Sequence, residues 1–149
     1  MGQLEADSQK PSSADLLFDE ERLLVITQKS YGGFTGVASI TELQLDESDV
    51  VLGEHVKLAW VNRVSTAGYD EEALDKSWKP VSELFHVADY GTVRHVVVRR
   101  GADSIGVVPT EWKGDNRLFR PQDGELLALD ASDEELGAAV RRAMELTVS

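Results

Sequence analysis

The chain has 149 residues, enough for one domain with a real core, and contains no cysteine, which excludes disulfides, zinc–thiolate sites and thiol nucleophiles. Its net charge is −12, a field that repels nucleic acid and draws basic proteins, with solubility alone an equal explanation. No apolar run reaches the roughly 18 residues of a membrane span, and MGQLEADSQKPSSAD lacks the marks of a signal peptide or a myristoylation site, so the expected compartment is the cytosol.

Residues 1–14 are polar, with Pro11 and three serines, and read as a flexible tail before a single domain over 15–149. Arg22 to Lys29 (RLLVITQK) predicts a strand, and Val37 to Leu45 a second one. The Ser30–Gly36 stretch between them, SYGGFTG, has no GK[ST] after it and no helix start, so it reads as a hairpin turn rather than a phosphate cradle. A helix over about 48–64 follows. Ser65 to Trp78 reads as loop and carries Asp70, Glu71, Glu72 and Asp75. Pro80 suits the first turn of a short helix over about 80–89, with Val81, Leu84, Phe85 and Ala88 on one face and Gly91 ending it.

Thr92 to Arg100 (TVRHVVVRR) predicts a strand with Val93, Val96 and Val98 as core residues. Gly101-Ala-Asp turns it into Ser104–Pro109, and Arg117–Arg120 offers a further hairpin partner after KGDN. Glu125–Leu129 is the last strand and leads to a helix over 132–146. Strands feeding helices, mixed with hairpins, define an α+β (α/β-like) fold: a central, mostly antiparallel or mixed sheet with two similar helices and a shorter one packed on it.

The two similar helices are a repeat. LDESDVVLGEHVKLAWVNRVS, from Leu45, and LDASDEELGAAVRRAMELTVS, from Leu129, agree at ten positions, Asp46/Asp130, Asp49/Asp133, Gly53/Gly137 and Val56/Val140 among them. Ser48 and Ser132 are N-caps, and Glu135 completes a capping box only in the second copy. Asp49 and Asp133 put negative charge at the positive end of the helix dipole. Leu52, Val56, Trp60 and Val64 make one apolar row; Leu136, Val140, Met144 and Val148 make the other. A glycine inside a helix costs about 1 kcal/mol relative to alanine. Its presence in both copies points to a close packing partner, which we expect to be a strand. Two unrelated amphipathic helices with shared start signals are the competing reading.

Residue chemistry is sparse. His55, His86 and His95 form no HxxxH or carboxylate–histidine motif, and there is no GxSxG. Asp123/Glu125 and Asp70/Glu71/Glu72 offer paired carboxylates, which solvated loops explain more simply. Trp60 belongs to the core. Trp78 and Trp112 fit either buried anchors or an interface. Arg94, Arg99, Arg100, Lys113, Arg117 and Arg120 make the only basic stretch; pairing with nearby acids suits it better than RNA. No metal or cofactor is expected.

Three motifs carry a family resemblance: the doubled D-x-S-D-x-x-LG at Asp46–Gly53 and Asp130–Gly137, the VVPTEWKG of Val107–Gly114, and the closing GELLALDASDEELGAAVRRAM. Over about residues 22–148 the chain resembles the immunity proteins of bacterial contact-dependent growth inhibition (CDI) systems, the CdiI proteins. It departs from them in the first copy, which lacks the Glu-Glu before its Leu-Gly, and in the tail. The resemblance implies no catalytic residues. It implies binding to the cognate CdiA C-terminal toxin domain, commonly a nuclease, through a surface that varies across the family, so the motif residues are structural.

A basic nuclease toxin suits an acidic inhibitor. We therefore expect the toxin contact at Asp70, Glu71, Glu72, Asp75 and Trp78, joined by Tyr31 and Phe34, with no membrane and no direct nucleic-acid partner. The rivals are an acidic regulatory adaptor and a small enzyme built on a carboxylate or histidine cluster.

Overall fold

Side chains that alternate in polarity make a strand two-faced, and here both faces are apolar enough to be covered. The computed structural model describes residues 12–66, 68–85, 93–113, 118–121 and 124–147. Eight strands occur among these residues: β1 Ser12–Phe18, β2 Leu23–Tyr31, β3 Phe34–Leu43, β4 Val64–Thr66, β5 Arg94–Arg100, β6 Ile105–Lys113, β7 Leu118–Pro121 and β8 Glu125–Leu127. Three helices join them: α1 Asp49–Val61, α2 Glu71–Phe85 and α3 Asp133–Leu146.

The strands form one sheet in the order β3-β2-β1-β5-β6-β7, with β8 beside β6 and β4 beside β2. All pairings are antiparallel except the short β2–β4 pair. The α+β fold expected from the sequence is the one observed.

Ala14, Leu16 and Phe18 of β1, with Leu23, Val25, Val96, Val98, Ile105 and Val107, face α1 and α3 and build the larger core. Leu17, Leu24, Ile26 and Val93 face the opposite side, where Val81 and Phe85 of α2 cover them. β1 was not foreseen: it begins at Ser12, inside the stretch expected to be tail, and Asp15 interrupts its apolar run. Residues 1–11 lie outside the described residues.

The sheet reads as a palindrome about the β1–β5 pair. On one side stand β2 and β3, leading into α1; on the other stand β6 and β8, leading into α3. The two helices repeat this relation against each other. A Cβ on Gly53 would lie 2.0 Å from the carbonyl oxygen of Asp133, and one on Gly137 would lie 1.8 Å from that of Asp49.

Each glycine therefore admits the backbone of the other helix's first turn, not a strand as expected. Lys57 Nζ donates to the Ala131 carbonyl at 2.8 Å and pairs with Asp133 at 2.8 Å. Its equivalent Arg141 donates to the carbonyls of Leu45 and Glu47 and approaches Asp49. The repeat is a structural pseudo-two-fold.

Ser48 accepts from Val51 N–H and Ser132 from Glu135 N–H, as the cap motifs predict. Leu52, Val56 and Trp60 are buried, and Trp60 donates its indole N–H to Val98 O at 3.0 Å. Val64 leaves the expected row, because α1 ends at Val61 with Asn62 as C-cap and Val64 enters β4.

The helix expected from Pro80 starts nine residues earlier, at Glu71. Asp70 launches it, its carboxylate accepting from Ala73 N–H at 3.1 Å and its carbonyl from Leu74 N–H at 2.9 Å. Glu71 and Glu72 then suit the positive end of the dipole. Pro80 stands in the helix interior, where it removes one backbone donor. Ala88, Gly91, His86, Arg117 and Val148 lie outside the described residues, as do the side chains of Trp112, Lys113 and Arg120.

Candidate functional site

The β2–β3 turn passes through Gly32 and Gly33 at φ of 59° and 93°, the left-handed backbone of a two-residue hairpin turn that glycine adopts without strain. Gly32 has a second reason to lack a side chain: its Cβ would lie 2.7 Å from the Tyr69 nitrogen. The segment entering α2 thus lies on the hairpin tip. There Phe34 and Tyr69 set their rings 4.8 Å apart, tilted by 44°, each more than half exposed.

Below them the hairpin is tied to α2. Ser77 Oγ donates to Leu74 O at 2.7 Å and accepts from Val37 N–H at 3.0 Å. Trp78 donates its indole N–H to Thr35 O at 3.1 Å. Tyr31 is buried, its ring close enough to Gly36 that a Cβ there would stand 2.5 Å from it. Lys29 Nζ lies 5.2 Å from the centre of the Tyr31 ring, within cation–π range.

The residues singled out from the sequence therefore meet at one end of the sheet, although Ser65–Trp78 is not the loop expected. Asp70, Glu71, Glu72 and Asp75 are all exposed on the first turns of α2. Glu72 pairs with Lys76 at 3.0 Å across one helical turn. Phe34 is presented to solvent, Trp78 is half-buried and bonded to the hairpin, and Tyr31 is a support beneath the surface. Partial desolvation, then the charges of Glu71 and Asp75, hold the Tyr69 phenol above its ordinary pKa. Sequence reasoning missed Tyr69; its position two residues before an acidic helix start was the available signal. The patch joins two exposed aromatic rings to four carboxylates, which suits contact with cationic side chains.

The other polar cluster lies within the sheet, on the α2 side. His95 Nε2 is 2.8 Å from Asp15 Oδ1, and His95 Nδ1 is 3.1 Å from Thr110 Oγ1. Thr110 Oγ1 donates to His95 O at 2.9 Å, and Gln28 donates to Asp15 Oδ2 at 2.8 Å. Asp15, His95 and Thr110 are all buried. Thr110 is only 2% exposed, closed to a substrate, and the cluster satisfies itself. Asp15 and His95 are 80 residues apart, which hid the pair, although each is a polar break in an apolar strand.

Of the remaining carboxylate pair, Glu125 binds Arg142 bidentately at 2.9 and 2.5 Å, and Asp123 lies outside the described residues. That ion pair draws the Glu125 carboxyl below its ordinary pKa. Among the described residues no group of three His, Cys, Asp or Glu is placed to hold a metal.

No protein-family model and no curated protein sequence matches the chain. Solved structures share its fold. A protein of unknown function from Neisseria meningitidis superposes with a TM-score of 0.79 at 18% identity, covering 94% of this chain and 97% of that one. A chain of a CdiA-CT/CdiI toxin and immunity complex from Yersinia pseudotuberculosis superposes with a TM-score of 0.73 at 18% identity, covering 93% and 98%. Both likenesses run nearly end to end. At this identity what is shared is the fold, and it is the one that the toxin–immunity complex contains.

Proposed function

We propose that this protein is an immunity protein that binds the toxin domain of a contact-dependent growth inhibition system and neutralises it by covering its active site or substrate surface. The observation that carries the reading is the patch at the hairpin tip, where Phe34 and Tyr69 stand beside Asp70, Glu71, Glu72 and Asp75. A nuclease holds nucleic acid on a basic surface, and an acidic patch with aromatic anchors competes for that surface. The net charge of −12 steers such a partner in from a distance. The fold shared with a chain of a CdiA-CT/CdiI complex supports the same reading. Among the described residues the Asp15–His95 pair is enclosed and so offers no open site for carboxylate–histidine chemistry. The partner is then a basic CdiA C-terminal toxin domain in the cytoplasm, and the protein catalyses nothing.

The test is calorimetric titration into the toxin domain encoded beside this gene, at low and high salt. Nanomolar binding that weakens with salt is expected. Charge reversal at Glu71 and Glu72 should slow association and flatten its salt dependence. Unchanged association would remove the α2 acids from the interface, and absence of binding by the wild type would end the immunity reading.

A further inference from the structure

The pseudo-two-fold provides a comparison inside one molecule. Equivalent residues of α1 and α3 occupy the same place on the same scaffold, so a difference in their chemistry does not come from the fold. Their inward faces match: Leu52, Gly53, Val56 and Ala59 against Leu136, Gly137, Val140 and Ala143, all buried. Their outward faces do not. Where α3 shows Glu134, Glu135, Ala138, Arg142 and Glu145 before a single exposed Leu146, α1 shows Val50, Val51, Glu54, Leu58 and Val61 before Asn62. Val50 and Leu58 are each 46% exposed and Val61 is 79% exposed.

The position of Leu58 makes the contrast sharpest. Its equivalent Arg142 is held by Glu125, whose own equivalent is Thr41. A solvated helix face is normally polar, and the second copy demonstrates that this scaffold accepts one. We infer that the outward face of α1, centred on Leu58 and Val61, is a second contact surface for the toxin partner, one that supplies apolar burial where the α2 patch supplies charge.

The charge of the whole molecule selects the occupant: along the row itself Asp49 and Glu54 are accompanied by Lys57 and Arg63. A second copy of this chain would bring Glu54 near another Glu54 and a charge of −12 against −12. A basic protein presenting apolar side chains flanked by Lys or Arg meets no such penalty. This inference rests on the immunity reading but not on the α2 acids.

The experiment compares the wild type with the Leu58→Ala, Val61→Ala double variant in titrations against the neighbouring toxin domain. The expected result is at least a tenfold rise in Kd, carried by faster dissociation. The salt slope should stay as in the wild type and the urea midpoint should not move, since both side chains are exposed. Wild-type affinity retained by the double variant would overturn the inference and leave the immunity reading standing. Failure of the wild type to bind would overturn both. Sedimentation velocity supplies one more arm: a dimer that the double variant abolishes would assign the face to a second copy and overturn the choice of occupant.

Discussion

Gly53 and Gly137 show how far single residues set this architecture. Alanine in place of either would favour the helix by about 1 kcal/mol, yet its Cβ would enter a carbonyl oxygen at 2.0 or 1.8 Å. Overpacking a fixed contact costs about 1–3 kcal/mol and at times more; here the obstacle is backbone, so the clash wins. Gly53→Ala and Gly137→Ala should each lower stability by about 2 kcal/mol or more, read from the urea midpoint. Tyr69 reports on the candidate site in the same direct way. Glu71 and Asp75 oppose its ionisation, so Glu71→Gln should bring the phenol pKa down toward its ordinary value in an ultraviolet titration. An unmoved titration would mean that the acids of α2 do not face the ring.

Among the elements, α2 is the one whose sequence misleads. An interior proline costs a helix about 3 kcal/mol, and Pro80 is exposed, so it makes little packing to offset that cost. Pro80→Ala should raise the urea midpoint and slow amide exchange in the residues around it. The tether between β8 and α3 has a pH signature. The Glu125 carboxyl is drawn below its ordinary value by Arg142, so the stabilisation is present above the unfolded carboxylate pKa and is lost as pH falls through the lower folded-state value. Solvent screening keeps the contribution small. Arg142→Ala should therefore lower the urea midpoint slightly at neutral pH and leave it unchanged in acid.

The legibility of the chain follows from the range of the signals involved. Strands β2, β3, β5 and β6, the two capped helices and the hairpin turn rest on local periodicity and local hydrogen bonds, and all were readable. β1 was not, because Asp15 hides its alternation and the reason for Asp15 is a histidine far along the chain. The start of α2 was misplaced because proline at a helix start is commoner than proline inside one. The glycine pair announced a close contact, yet only the fold could say that each copy contacts the other. At the candidate site the acids and Phe34 were visible as residue types. Their convergence depends on the Gly32 turn receiving Tyr69, a tertiary fact with no local trace.

At the scale of the whole molecule, β1 and β5 share the middle of the sheet, each with neighbours on both sides. Their backbone amides should be the slowest to exchange in native-state hydrogen exchange, with Leu16 and Val96, paired in register and fully buried, near the global unfolding limit. The frayed end of the scale belongs to the hairpin tip around Gly33, where a Cβ would meet nothing within 4 Å.

The palindrome also sets an order of events during synthesis. β1 leaves the ribosome before β5 and receives its second neighbour only when Arg94–Arg100 follows, and α1 can seat Gly53 only after Asp133 has been made. Contacts this distant along the chain slow folding, and until they form the first half shows an open strand edge and an apolar helix face to its surroundings. The nascent protein is thus committed to completing its second half before its first is secure. A stalled or truncated chain is the form most exposed to aggregation and to proteases.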